Sequence, residues 1–229
     1  MRPADLTKFE KHPNSTLFEV VREDCKTTIT CKDGHLYFHE NGQLTMSGGY
    51  WECPLVKYAS LRGVDNDILV GGLGFGNTSE TAVKHGNVTT IELLPELVEF
   101  YRSIVSHIPF EIVVSNMRDY VSQVDRKFDA VIFDIDIVGL SAGGVVHLSS
   151  NKKTVAKEYI SHFKRVLKPN GVFLIKGVES KGLIPELYCL LWQAGFTIKR
   201  LDIRPLESNP AKNRMTYRCF NRGEHHAQR

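Results

Sequence analysis

Hydrophobic and polar residues follow two different patterns along the chain, and the change falls near residue 52. Before it, short β-rich runs such as LFEVV and TTITC alternate with polar positions and stop at turn residues. The pairs Asp33-Gly34 and Asn41-Gly42 stand between such runs, and these dipeptides favour tight hairpin turns. We therefore predict a small antiparallel β-hairpin appendage of about three strands in this part.

After Trp51, apolar β-rich runs alternate with helix-like stretches. The apolar runs are DILVGG, VTTIELL, EIVVSN, FDAVIFDID and GVFLIKG. The stretches between and after them include TSETAVKH, PELVEFYRSIVSH, MRDYVSQV, NKKTVAKEYISHFKRVLK and LIPELYCLLWQAGF. Continuous apolar strands linked by helices are typical of a parallel sheet that is covered on both faces. Two further runs near the end, joined by NPAK, predict an antiparallel hairpin.

The fold predicted from these patterns is α/β, with a doubly wound, seven-stranded, mostly parallel sheet. We divide the chain into the appendage at residues 1–52, the main α/β domain at 53–223 and a disordered tail at 224–229. The chain has 229 residues, 42% of them hydrophobic, which suffices for a sizeable core. Exposed hairpins in the appendage make it the predicted contact of a possible homodimer.

Charge and cysteine content exclude several classes of function. The 29 basic residues barely outnumber the 26 acidic ones and are scattered, which does not favour nucleic acid binding. No stretch approaches the apolar length of a membrane span or of a signal peptide, so we expect a cytoplasmic protein without membrane contact. The five cysteines form no C-x-x-C pair, and no spaced set of acidic and histidine residues predicts a metal site.

The stretch DILVGGLGFGNTSE carries the most informative chemistry. Clustered glycines between a strand and a helix let the backbone approach a ligand closely. Gly72, Gly74 and Gly76 give G-x-G-x-G rather than the dinucleotide fingerprint, and no phosphate-reaching Gly-Lys-Ser/Thr follows. A nucleoside ligand without phosphates, such as S-adenosylmethionine, therefore fits better than NAD or ATP. Glu92 ends the next strand about twenty residues later, where an acid binds ribose hydroxyls.

From about residue 15 to 180, the order of these motifs resembles the spermidine synthase family of the class I S-adenosylmethionine-dependent methyltransferase fold, which is Rossmann-like. The resemblance implies an appendage before the cofactor domain and S-adenosylmethionine or its decarboxylated form as cofactor. Tyr50 and Glu52 match the tyrosine-x-glutamate at the gate of the synthases. Glu92 matches their ribose-binding acid, and Asp134 matches the acid that faces the reacting amine.

The chain departs from the synthases at three places, and the loss of two carboxylates that a polyamine would need argues against aminopropyl transfer. Leu73 stands where the synthases carry an aspartate for the amine of the decarboxylated cofactor. Asn116 replaces their adenine-contacting aspartate but can still hydrogen-bond an exocyclic amine. Their aspartate-x-x-aspartate-proline segment is replaced by the sequence DIDIV, which begins at Asp134 and has its second acid at Asp136. A polyamine groove would thus lose carboxylates that it needs.

The candidate site combines these residues. We predict catalytic roles for Asp134, Tyr50 and Asp136, with Asp134 orienting an amine or acting as a base. Aromatic faces of Tyr50, Trp51 and Phe75 are candidates for contact with a sulfonium. The predicted cofactor-binding residues are Gly72, Gly74, Gly76, Glu92, Leu93, Asn116, Met117 and Asp134.

The leading hypothesis is transfer of the methyl group to a small-molecule nucleophile. The main alternative is chemistry on the aminocarboxypropyl arm, including cyclisation or lysis of S-adenosylmethionine with release of methylthioadenosine. Aminopropyl transfer and a catalytically inactive binding module remain as further alternatives, because a fold does not fix a function.

Overall fold

The structure is a computed structural model that describes residues 15–22, 25–32, 35–47, 54–134, 159–180, 186–206 and 209–221. The first four strands form an antiparallel sheet in the order β1-β2-β3-β4. They are β1 (Ser15–Arg22), β2 (Cys25–Lys32), β3 (His35–Glu40) and β4 (Gln43–Ser47). The predicted appendage is therefore present, with four strands rather than about three.

The turn between β3 and β4 shows why the dipeptide Asn41-Gly42 favours a hairpin. Both residues have positive φ angles, 50° and 76°, which asparagine and glycine tolerate better than other residues. The Asn41 side chain also accepts a hydrogen bond from the backbone N–H of Lys26 at 2.8 Å, which ties the turn to β2. The other predicted turn, Asp33-Gly34, lies outside the described residues.

The main sheet has seven strands in the order β10-β11-β9-β8-β5-β6-β7. The strands are β5 (Asn66–Gly71), β6 (Gly86–Glu92), β7 (Glu111–Val114), β8 (Phe128–Phe133), β9 (Leu167–Ser180), β10 (Thr197–Leu206) and β11 (Asn209–Phe220). Strand β11 runs antiparallel to both of its neighbours, β10 and β9, and the other neighbouring strands of this sheet are parallel. This confirms the predicted doubly wound sheet and its antiparallel final hairpin.

Within the described residues, six α-helices cover the two faces of this sheet. They are α1 (Pro54–Ala59), α2 (Asn77–Ala82), α3 (Pro95–Ile104), α4 (Met117–Gln123), α5 at 159–166 and α6 (Glu186–Gln193). Pro95 begins α3, where its fixed φ and missing N–H are tolerated. Among the helices of the described ranges, none combines the length and the apolar character needed to cross a bilayer.

One predicted turn is wrong. The segment NPAK at 209–212 opens strand β11 instead of forming a loop. Strand β9 continues to Ser180, and Lys212 pairs with Ser180 across the sheet. Lys212 pairs with β9 and Asn209 with Leu206 of β10, and pairing on these two sides overrides the local preference of asparagine and proline for turns, although the register with β10 is irregular here.

The central strands are buried on both faces, as their continuous apolar sequences predict. On β8, Val131 and Phe133 face the core under α4, α5 and α6. Ala130 and Ile132 face the opposite core under α1 and α2. This alternation places successive side chains on opposite faces of the sheet.

The appendage packs directly on the loop that follows β5. Ile29 and Phe38 of the small sheet share a buried cluster with Leu73 of this loop and with Leu97 and Tyr101 of α3. Phe38 also meets Phe75 edge to face, with ring centroids 6.0 Å apart. The small sheet therefore contributes to the position of the glycine loop.

Candidate active site

Three polar segments meet at the carboxyl edge of the central strands. Strands β8, β5 and β6 are parallel neighbours, so the segments that follow them emerge side by side. The N–H of Gly72 donates to the carbonyl of Ile91 at 2.9 Å, and the N–H of Asp134 donates to the carbonyl of Gly71 at 3.0 Å. The structure thus brings together the glycine loop, Glu92 at the end of β6, and Asp134.

The glycine loop takes a backbone conformation that other residues disfavour. Gly72, Gly74 and Gly76 have φ angles of 90°, 52° and 80°. Left-handed conformations cost other residues roughly 1–2 kcal/mol each. The N–H of Gly76 donates to the carbonyl of Leu73 at 2.8 Å and closes a turn from which α2 begins. The glycines therefore shape the loop and keep its backbone free of side chains.

Gly76 also allows a close approach that the sequence did not reveal. A Cβ atom on this residue would lie 2.4 Å from the hydroxyl oxygen of Tyr101 on α3. That hydroxyl donates to Glu80 Oε1 on α2 at 2.7 Å. Burial raises the pKa of Glu80, and the donated hydrogen bond partly counters this. Gly76, Tyr101 and Glu80 thus hold the end of the loop in close contact with α2 and α3.

Glu92 lies beside the glycine loop and is 8% exposed. Its Oε2 accepts a hydrogen bond from the N–H of Leu73, and its Oε1 accepts one from the N–H of Leu94, each at 2.9 Å. Burial raises the pKa of this carboxyl, whereas the N–H groups of Leu94, Leu73 and Leu93 favour the charged form. Each carboxylate oxygen has two lone pairs, so capacity for ribose hydroxyls remains.

We expect Glu92→Gln to weaken binding of S-adenosylhomocysteine by about 1–3 kcal/mol, the range for hydrogen bonds to a charged group. The structure adds a second expectation, a lower free energy of unfolding. Because both oxygens accept backbone N–H donors, the glutamine NH₂ must face one of these donors. Calorimetric titration and urea unfolding measure the two effects.

Glu111→Gln is the matched control for this prediction. Glu111 begins β7, at the amino-terminal end of the parallel strands, and accepts a hydrogen bond from Thr89 at 3.0 Å. We expect unchanged ligand affinity in this variant. Equal affinity in Glu92→Gln and the wild type would show that Glu92 does not bind the ribose.

Asp134 follows β8 and has a partner that the sequence did not indicate. Thr78, in the first turn of α2, donates its hydroxyl to Asp134 Oδ2. The two residues are 56 positions apart in the chain. A threonine after a glycine loop has no distinctive pattern, so only the packing of α2 against the end of β8 identifies it.

Three further predicted cofactor residues follow β6 and β7. Asn116 is exposed and caps α4, accepting a hydrogen bond from the N–H of Arg118 at 2.9 Å. A carbonyl oxygen can accept a second bond, so contact with an adenine amine stays open to it. Leu93 is 52% exposed beside Glu92, which suits contact with a flat apolar ring. Met117 is buried in the core, so only its backbone is available to a ligand.

The side chains of Leu73 and Phe75 pack in the cluster beneath the appendage. Leu73, at the place of the synthase aspartate, is 4% exposed and belongs to the cluster beneath the appendage. Phe75 packs against Phe38 in the same cluster, which favours a packing role over contact with a sulfonium. In this loop, two side chains anchor the appendage while the backbone faces the site.

Several predicted residues lie outside the described residues. They are Tyr50, Trp51, Glu52 and Asp136, whose assigned roles stay predictions. Within the described ranges, no group of three or more histidine, cysteine, aspartate or glutamate residues could hold a metal ion.

Comparison with known proteins gives relatives of two kinds. No family model matches the chain. An eEF1A lysine and N-terminal methyltransferase homolog of Drosophila melanogaster is 31% identical over 142 residues, which is 58% of this chain and 20% of that protein. Polyamine aminopropyltransferase 2 of Hyperthermus butylicus is 27% identical over 135 residues, covering 54% of this chain and 42% of that protein. The chain thus spans less than half the length of either relative.

Solved structures agree with the topology. A probable spermidine synthase from Corynebacterium glutamicum superposes with a TM-score of 0.65 at 13% identity, over 90% of this chain and 80% of that one. At this identity the likeness concerns the fold. The chain therefore has the class I S-adenosylmethionine-dependent methyltransferase fold and resembles the spermidine synthase-like proteins of that fold.

Proposed function

We propose that the chain is an S-adenosylmethionine-dependent methyltransferase. The observation that carries the proposal is that two acids lie beside one glycine loop. Glu92 accepts the N–H of Leu73 in the loop, and the backbone N–H of Asp134 donates to the carbonyl of Gly71, the last residue of β5 before the loop. This arrangement fits the cofactor, because a backbone without side chains and acceptors for hydroxyl and ammonium groups converge at the carboxyl ends of the parallel strands. When bound, S-adenosylmethionine supplies an electrophilic methyl group on a sulfonium.

Each residue of the site would have a separate role in binding or in proton transfer. Gly72, Gly74 and Gly76 would line the cofactor tail, and Glu92 would accept its ribose hydroxyls. Asn116 and Leu93 would contact the adenine. Asp134 would accept the proton that an amine loses on methylation, or hold that amine in place. The protein thereby orients the two reactants and removes a proton, which is most of what this reactive cofactor requires.

The acceptor we propose first is a small-molecule nucleophile, as the motifs alone predicted. The second candidate is a lysine or amino-terminal amine of a protein, which the likeness to the methyltransferase homolog of Drosophila melanogaster favours. A small-molecule amine and a protein amine make the same demand on Asp134. Leu73 provides no carboxylate at the position that binds the amine of a decarboxylated cofactor in the synthases, and its side chain is buried. Both features disfavour aminopropyl transfer.

Chromatography of the nucleoside products tests the proposal. The protein is incubated with S-adenosylmethionine alone, with a set of small amines, and with a peptide that carries a lysine and a free amino terminus. A fourth incubation contains the decarboxylated cofactor and putrescine. We expect S-adenosylhomocysteine to form only when a methyl acceptor is present.

Each other product identifies an alternative. Formation of methylthioadenosine from S-adenosylmethionine alone would indicate that the protein cyclises or lyses the cofactor and does not transfer its methyl group. Methylthioadenosine that requires an amine would indicate transfer of the aminocarboxypropyl arm. Its formation only from the decarboxylated cofactor would indicate aminopropyl transfer. If neither S-adenosylmethionine nor S-adenosylhomocysteine binds at millimolar concentration, the chain does not use this cofactor, and the proposed function is wrong.

A further inference from the structure

The hydrogen bond from Thr78 to Asp134 links the candidate base to the glycine loop. Thr78 is 5% exposed and lies two residues after Gly76, the residue from which α2 begins. Its hydroxyl donates to Asp134 Oδ2. A backbone hydrogen bond from Asp134 to Gly71 already fixes the main chain at the end of β8. The side-chain bond adds control over the direction of the carboxylate.

The physical properties of threonine suit this task. A β-branched side chain has few rotamers, and burial restricts Thr78 further. A carboxylate without such a donor can turn about χ1 and χ2, and its terminal torsion is broad. Because Thr78 moves with α2, and α2 begins at the glycine loop, the direction of Asp134 is set by the same segment that is proposed to hold the cofactor.

We propose that Thr78 is a positioning residue, which orients the Asp134 carboxylate toward the amine that is methylated. The inference rests on the proposed methyltransferase function. Thr78 takes no part in the chemical step itself. It keeps one oxygen of Asp134 hydrogen-bonded so that the carboxylate has a fixed direction when it accepts the proton. Misplacement of a reacting group by about 1 Å can cost on the order of 100-fold in rate.

The first test compares three substitutions in α2. Thr78→Val removes the hydroxyl and keeps the shape of the side chain, whereas Thr78→Ser keeps the hydroxyl. Thr81→Val is the matched control, because Thr81 is also 5% exposed and its hydroxyl donates to the carbonyl of Asn77. Turnover is measured with S-adenosylmethionine and the acceptor set above, and binding of S-adenosylhomocysteine is measured by calorimetry.

We expect Thr78→Val to lower kcat by about 10- to 100-fold while changing the Kd for S-adenosylhomocysteine less than about threefold. Thr78→Ser should restore most of kcat, and Thr81→Val should leave kcat near the wild-type value. A structural role alone would predict similar losses in both valine variants. Wild-type kcat in Thr78→Val, or equal losses in both valine variants, would overturn the inference.

A second test does not depend on turnover. Urea unfolding is measured for Thr78→Val, for Asp134→Ala, which removes the acceptor, and for the double variant. If the hydroxyl and the carboxylate interact, the shift in midpoint of the double variant differs from the sum of the two single shifts. Additive shifts would overturn the inference. A wild-type chain that transfers no methyl group but shows this coupling would contradict the proposed function and support the contact.

Discussion

Asp134→Asn is expected to reduce the turnover of S-adenosylmethionine by about 10²- to 10⁴-fold, the range that general acid–base groups contribute. The side-chain oxygen of asparagine can still accept the hydroxyl of Thr78, so the position of the side chain is kept. The amide, however, accepts no proton at neutral pH. The loss should therefore appear in kcat, with cofactor affinity changed only a few-fold. Steady-state kinetics and calorimetric titration separate the two quantities.

Asp125→Asn provides the control for the loss of one negative charge. Asp125 lies just before the same strand, β8, and its side chain is fully exposed beside Arg165. We expect near wild-type turnover in this variant. If Asp134→Asn also retained wild-type turnover, Asp134 would be neither the base nor the group that orients the acceptor.

Gly76→Ala is expected to lower the free energy of unfolding by roughly 2–5 kcal/mol and to abolish cofactor binding at micromolar concentrations. Two costs add. The φ angle of 80° is unfavourable for alanine, and the new methyl group would lie 2.4 Å from the hydroxyl oxygen of Tyr101. Tyr101 is 1% exposed and bonded to Glu80, so it has little room to move. Urea unfolding and calorimetry with S-adenosylhomocysteine measure the two effects.

Gly63→Ala separates the two costs. Gly63 has a φ angle of 76°, and a Cβ atom there would meet nothing within 4 Å. This variant should lose only the backbone term of roughly 1–2 kcal/mol and should bind the cofactor normally. If Gly76→Ala were no less stable than Gly63→Ala, Tyr101 would be able to move away from the added methyl group. The packing of α3 would then not fix the conformation of the loop.

Much of the fold could be read from local patterns. Continuous apolar runs predict the buried parallel strands, because a strand covered on both faces has no polar side to alternate with. Asn41-Gly42 predicts its hairpin because both residues tolerate positive φ. The segment NPAK was predicted wrongly as a turn, since its strand depends on pairing with β10 and with the distant end of β9.

The candidate site could be predicted only in part. The glycines and the acids at strand ends mark it, because parallel strands bring their carboxyl ends to one edge. Leu73 shows the limit of such reasoning. The sequence identified it as a missing carboxylate but could not show that its side chain turns into the cluster beneath the appendage. The direction of a loop side chain depends on which surface packs against the loop.

The sequence by itself determined the seven-stranded sheet, the position of the glycine loop and the placement of Glu92 and Asp134 at one sheet edge. These features follow from periodicity and backbone preference, which act over a few residues. Only the tertiary structure decided that Thr78 holds Asp134 and that Tyr101 closes on Gly76 and Glu80. Thr78 and Asp134 are 56 positions apart, and Tyr101 and Glu80 are 21 apart. Such contacts depend on how α2 and α3 pack against the sheet and each other, and no short-range pattern encodes that packing.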